Sequence, residues 1–342
     1  MNLKECLSFD DVLLVPRYSD ICSRKDVDIS SDLGQGIKLK LPVISSPMDT
    51  VTGSEMAMAM ASNGGLGIVH RYNTPEEQAE LIRRAVHEGT TNLGAAIGMT
   101  GDFYERAVEV VESGANVLCI DVAHGHHEMM EVCIKKIKDR FGSSVHVMAG
   151  NVATLEAFDC LASWGADSVR VGIGGGSICS TRLVTGHGVP TFQSILDCQN
   201  TTYETKIIAD GGIKTTGDMV KALAAGADFV MVGSMLSGTD ETPGNLLTNA
   251  RGEKHKEYRG MASKEAQRSW RGKNSTPEGV ATVVPYKGPV VDILEDFRGG
   301  IRSGLSYSGV RSIGELRCVS SFIRQTNAGQ VESNTHIKWR AS

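Results

Sequence analysis

Eight short aliphatic runs, each closing on Gly, Asp, Ser or His, recur about every 20 to 35 residues, and this recurrence restricts the fold more than any other feature of the chain. They occupy 42–46, 66–70, 93–98, 117–121, 145–150, 168–172, 206–211 and 229–234. The segments between them carry helical periodicity at 53–62, 75–88, 102–113, 126–140, 155–164, 192–198 and 216–225. Several open after Thr or Asp and close at Gly, as helix capping requires. Eight strands alternating with helices predict an α/β fold of the (β/α)8 TIM barrel type, whose sites gather at the C-terminal ends of the strands. A doubly wound sheet is the competing architecture, and the polar strand ends favour the barrel.

A single barrel domain is expected to span 1–342, preceded by an entry segment over 1–40. A long charged excursion over 237–290 has little apolar periodicity but returns through Val283-Val284-Pro285, which predicts a tethered catalytic flap after the last strand. An amphipathic stretch follows over 290–297, and the polar tail 325–342 is expected to fray.

Composition narrows the ligand. The 342 residues are 41% hydrophobic, enough for a large core, and a net charge of −5 without a long basic run gives nucleic acid or an anionic membrane no electrostatic support. No apolar run is long enough for a membrane span and the start does not read as a signal peptide, so a cytoplasmic protein with a small-molecule ligand is expected. The eight cysteines form no CxxC pair or metal spacing, which reads as reduced thiols, most of them small buried hydrophobes. His124, His126 and His127 lack a Cys or carboxylate at ligand spacing and read as a loop after the fourth strand, while Met56, Met58 and Met60 read as packing.

The densest chemical signal is the run Gly172-Ile173-Gly174-Gly175-Gly176-Ser177-Ile178-Cys179-Ser180-Thr181-Arg182 behind the sixth strand. Successive glycines let backbone amides approach an anion or carbonyls converge on a cation. A thiol on such a loop reads as a nucleophile rather than a structural cysteine. Gly211-Gly212 after strand seven and Gly233-Ser234 after strand eight stand where barrels commonly take a phosphate. Asp210, at a strand end, suits the two vicinal hydroxyls of a ribose, the alternative being a cap on the next turn.

That loop, with Ser45-Ser46-Pro47-Met48-Asp49-Thr50, Asp121-Val122-Ala123-His124-Gly125, Gly150-Asn151-Val152, Ala209-Asp210-Gly211-Gly212, Tyr258-Arg259-Gly260-Met261 and Pro277-Glu278-Gly279, resembles the IMP dehydrogenase/GMP reductase family over nearly the whole chain. The resemblance implies that Cys179 attacks C2 of a purine nucleoside monophosphate, with Thr181 and Glu278 polarising the departing or attacking group. It places Ser46, Met48, Ser177, Asp210, Gly212, Gly233, Ser234, Tyr258, Met261 and Ala262 around the nucleotide. Asp121, Asn151, Arg170 and Gly172 fall on the nicotinamide side. It further implies a potassium ion held by backbone carbonyls of Gly174, Gly176 and Cys179 with Glu332 of a neighbouring subunit, and a homotetramer. Gly175 departs from the proline frequent in that loop.

The family's two reactions share the covalent adduct. Dehydrogenases carry an adjacent Arg-Tyr pair on the flap as the water-activating base; between Met261 and Glu278 this chain has Arg268 and Arg271 but no such pair. A domain-sized regulatory insert between strands two and three is also missing, as in reductases. These points favour a GMP reductase using NADPH. Ser45-Ser46-Pro47-Met48-Asp49, His124-Gly125-His126, Pro277-Glu278-Gly279-Val280 and the segment from Ala328 to His336 look more like an IMP dehydrogenase using NAD. A nucleotide sensor without turnover would be expected to lose Cys179, Thr181 or Glu278, and all three are present.

Overall fold

The computed structural model describes residues 3–272 and 276–334. The entry segment supplies β1 (Val12–Leu14) and a hairpin of β2 (Ser31–Gly34) and β3 (Ile37–Leu39). Strands and helices then alternate through β4 (Val43–Ser45), α1 (Ser54–Ser62), β5 (Leu66–Val69), α2 (Pro75–His87), β6 (Gly94–Ile97) and α3 (Phe103–Glu112). They continue with β7 (Val117–Asp121), α4 (Glu128–Phe141), β8 (His146–Val152), α5 (Leu155–Ser163), β9 (Ser168–Val171), α6 (Thr181–Thr185) and α7 (Thr191–Cys198). β10 (Lys206–Asp210), α8 (Thr216–Ala224) and β11 (Phe229–Val232) complete the series.

β4 to β11 pair in parallel in sequence order, and β11 closes on β4 through Val230–Val43 and Val232–Ser45. The (β/α)8 barrel expected from the eight runs is therefore observed, and the doubly wound sheet is not. Caps follow the local chemistry: the hydroxyls of Thr74, Thr154 and Thr215 accept the N–H three residues on and start α2, α5 and α8. Asp102 opens α3 without such a bond, its carboxylate being taken by Arg106.

The barrel has a floor. Leu33, Ile37 and Leu39 of the hairpin join Ile44, Leu66, Ile68, Phe229 and Met231 in one buried cluster. Gln35 at the hairpin tip meets His146 Nδ1 at 2.7 Å and donates to Asp167 Oδ1 at 2.8 Å, at the N-terminal ends of β8 and β9. The second cluster lies between strands and helices and includes Met56 and Met60, with Met58 packed against it, as their packing role requires.

Beyond β11 the chain forms β12 (Leu247–Thr248), β13 (Lys254–Arg259), α9 (Lys264–Arg271) and β14 (Ala281–Pro285), the strands making a three-stranded antiparallel sheet. α10 (Val290–Tyr307) extends the amphipathic stretch ten residues past its expected end and buries Leu294, Phe297, Ile301 and Leu305; α11 (Ile313–Val319) follows. The tail departs from expectation. β15 (Phe322–Arg324) pairs with β1, Gln325 donates to the carbonyls of Asp10 and Asp11, and Thr326 caps α12 (Asn327–Glu332). Backbone pairing holds what composition alone suggested was free; the remainder of that tail, 335–342, lies outside the described residues. The cysteines also differ: all eight are unpaired, but only Cys119, Cys133 and Cys198 are buried, because the others sit on loops or helix faces turned outward.

Candidate active site

The C-terminal ends of the barrel strands open into a cleft of about 610 Å3. Every residue the sequence assigned to nucleotide, nicotinamide or chemistry lines it, from Ser46 and Met48 on the first barrel loop to Glu278 on the flap, together with Gly174 and Gly176. Glu332 does not; it is exposed on α12.

Cys179 is exposed to the cleft at the start of a short turn into α6. Its thiol donates to Thr181 Oγ1 at 3.3 Å, and Thr181 Oγ1 donates to Glu278 Oε2 at 2.8 Å. The flap reaches this loop by backbone pairing: Ser180 N–H donates to the Glu278 carbonyl and Val280 N–H to the Ile178 carbonyl, both at 3.0 Å. Gly279 lies between those two bonds, where a Cβ would come within 3.3 Å of the Ser263 nitrogen. A proton can thus pass between thiol, hydroxyl and carboxylate without any side chain moving more than a hydrogen-bond length.

The wall beneath is ionic. Arg170 on β9 is buried and donates through Nη1 to Asp121 Oδ1 at 2.5 Å and through Nη2 to Asp210 Oδ2 at 2.8 Å. Burial opposes its charge, but Cys119, Asp210 and Asp121 outweigh that and hold its pKa well above the ordinary value. Asn151 also donates to Asp210 Oδ2, at 2.8 Å. Three donors converge on that one oxygen, and Oδ1 accepts no hydrogen bond among the described residues, which leaves it for a ligand hydroxyl. The capping alternative for Asp210 is not observed: Asp218 takes the amides of Lys214 and Thr215. Gly172 must be glycine, since its φ is +149° and a Cβ would overlap the Asp210 carbonyl oxygen.

At the opposite end Tyr258 of β13 places its hydroxyl 3.3 Å from Ser177 Oγ, beside Gly233. Burial raises the Tyr258 pKa, against hydrogen bonds from Ser177 and Ser234, so the phenol is neutral. Met261 offers its sulfur to the Asp49 N–H at 3.3 Å. His124 and His126 lie on the loop between β7 and α4, their rings 6.5 Å apart, and His127 caps α4 by accepting from Met129 N–H. No cluster of metal-ligating side chains occurs among the described residues. Arg268 is exposed on α9. The Arg271 side chain and residues 273–275 lie outside the described residues.

Sequence reasoning missed the ion pair between Arg259 on β13 and Asp49 after β4, with Nη2 to Oδ2 at 2.5 Å. It also missed Arg71, which lines the cleft and donates to the Asp121 carbonyl at 3.1 Å. No local pattern announces either contact; Asp49 and Arg259 are 210 positions apart.

Fold and site define a (β/α)8-barrel enzyme whose cysteine, hydroxyl and carboxylate meet at the mouth of the barrel. Residues 6–336 match the family model described as the IMP dehydrogenase / GMP reductase domain, and the chain belongs to that family of purine nucleotide oxidoreductases. It is 34% identical to inosine-5'-monophosphate dehydrogenase of Nitrosopumilus maritimus, covering 98% of this chain and 99% of that one. It is 33% identical to GMP reductase of Leishmania major, covering 98% and 97%. Among solved structures it is similar to a Cys-to-Ala variant of GMP reductase from Trypanosoma brucei in complex with guanosine 5'-monophosphate, with a TM-score of 0.92, 32% identity and coverage of 98% and 99%. Barrel strands two and three, β5 and β6, are joined only by α2 and short connections over residues 70–93, so no domain-sized insert stands between them. No helix among the described residues is long and apolar enough to cross a membrane.

Proposed function

We propose that the protein is a GMP reductase that converts GMP to IMP and ammonia at the expense of NADPH. The reading is carried by a flap that brings Glu278 to Thr181 and Cys179 and lacks the Arg-Tyr pair of dehydrogenases. The Cys179 thiolate bonds to C2 of the purine, the C2–amine bond breaks, and the amine leaves as ammonia after taking a proton from the Thr181–Glu278 pair. Asp121, Asn151, Arg170 and Gly172 would hold NADPH, which would supply a hydride to C2, after which the C2–Sγ bond would break to return the thiolate. Asp210 Oδ1 binds the ribose hydroxyls; Ser177, Gly212, Gly233, Ser234 and Tyr258 hold the phosphate; Ser46, Met48, Met261 and Ala262 bound the base.

The loop fits a potassium ion. The carbonyls of Gly174 and Cys179 accept no hydrogen bond among the described residues, while that of Gly176 takes the Cys179 N–H at 3.1 Å. These three would hold the ion, with Glu332 of a second subunit in a homotetramer, and its charge would stiffen the nucleophile loop.

A second reading, IMP oxidation to XMP with NAD, is favoured by the dehydrogenase-like Ser45-Ser46-Pro47-Met48-Asp49 and by relatives named for that activity. Arg268, Arg271 or the Thr181–Glu278 pair would then activate water. Assaying GMP or IMP with each nicotinamide cofactor, with products separated chromatographically, decides between them. Loss of NADPH absorbance with GMP is expected; NADH appearing with IMP would replace the first reading by the second. Binding without either turnover would support a sensor.

A further inference from the structure

We infer that Lys256 and Lys287 are positioning residues that shape the phosphate-facing turn after β11 from its outer side, an inference that rests on the nucleotide reading above. The turn begins at Gly233, whose carbonyl accepts from the N–H groups of Leu236 and Ser237 at 3.0 Å each. The N–H groups of Ser234 and Met235 donate to no carbonyl among the described residues, and Ser234 lines the cleft. Such a turn presents amides at one end and carbonyls at the other.

The carbonyl side is held by two ammonium groups from the flap sheet. Lys287, just past β14, donates to the carbonyls of Ser234 and Met235, both at 3.0 Å. Lys256 on β13 donates to the carbonyls of Thr239, Asp240 and Thr242 at 3.1, 3.2 and 2.5 Å. Those three bonds use every N–H of its ammonium, and it has no salt bridge among the described residues although it is only 4% exposed. Five carbonyls between 234 and 242 therefore face cations, which fixes the turn with its free amides toward the cleft.

Strand alternation ties this clamp to the ligand side. Lys256 and Tyr258 are the buried residues of β13, two positions apart and on one face. Lysine seats the strand on the 239–242 turn, and the phenol then meets Ser177 and the Gly233–Ser234 corner. Neither lysine reaches the cleft, so each acts through the turn it holds.

The test compares GMP with guanosine, which lacks the phosphate, by calorimetry on the full-length protein. Lys287→Gln is expected to weaken GMP binding about tenfold, the value of a charge-assisted hydrogen bond, while guanosine binding stays within about twofold of wild type. Lys287→Arg should restore GMP affinity. Lys256→Met should act in the same direction, and the exposed Lys287 carries the test if that buried substitution impairs folding. Equal losses for GMP and guanosine, or unchanged GMP binding by folded Lys287→Gln, would overturn the inference and leave the nucleotide reading standing. Wild-type protein that binds guanosine as tightly as GMP would overturn both.

Discussion

Thr181 Oγ1 donates to Glu278 Oε2 at 2.8 Å across 97 residues of chain, joining the nucleophile loop to the flap at the point where Cys179 emerges. The hydroxyl also accepts a hydrogen bond from the Cys179 thiol at 3.3 Å, so in the proposed mechanism flap position and thiol activation would be one geometric event. If the flap leaves, the relay loses its carboxylate.

Replacing Cys179 by Ala should abolish turnover while nucleotide binding persists, because the wall of Arg170, Asp210 and Asn151 does not depend on the thiol. Steady-state assay and calorimetry check the two halves. Turnover that survives the substitution would refute the covalent route.

Glu278→Gln keeps the side chain's size and a hydrogen bond to Thr181 but removes the proton-carrying carboxylate. We expect kcat to fall by about 10²- to 10⁴-fold, the usual contribution of a general acid or base, with a smaller change in the KM of the nucleotide. A loss confined to KM would assign Glu278 to binding.

Arg170→Met leaves Asp121 and Asp210 facing each other without their shared cation. Breaking a buried pair from one side costs about 3–5 kcal/mol, and the urea midpoint should fall accordingly. A variant as stable as wild type would show that water replaces the guanidinium.

His70 and His146 are buried, and burial pushes both pKa values down to about 4, against the opposing attraction of Asp49 and Asp167 respectively. Above pH 6.5 both are neutral in folded and unfolded chains and cost nothing. Between 6.5 and about 4 the unfolded chain takes up protons that the folded protein refuses, so stability falls with pH, by about 3 kcal/mol per histidine at the lower end. Urea denaturation at pH 7, 5.5 and 4.5 should show this slope, and His146→Gln should make it shallower. An unchanged slope in the variant would remove His146 from the account.

The barrel was legible because its strands are short, aliphatic and buried on both faces, which writes them as continuous runs separated by capped helices. The Gly172–Arg182 loop was legible because glycines and a cysteine in that context have few structural uses. The flap sheet was not. β13 reads Lys-His-Lys-Glu-Tyr-Arg, and one of its two buried positions is a lysine whose partners are carbonyls, so no apolar alternation marks it. The tail helix α12 was hidden for a related reason: the Gln325 N–H and side-chain amide hold it by donating to the carbonyls of Asp11 and Asp10, and a contact with distant backbone carbonyls leaves no pattern in the local composition.

The hairpin at the bottom of the barrel closes the N-terminal end of its core. With Leu33, Ile37 and Leu39 packed among the inward strand residues, the barrel axis is filled, so ligands reach the cleft from the C-terminal face and not through the bottom. On the proposed function, the dinucleotide and the flap would share that opening with the departing nucleotide. How often that opening clears would then set an upper bound on turnover, however fast the proposed bond changes at C2 occur.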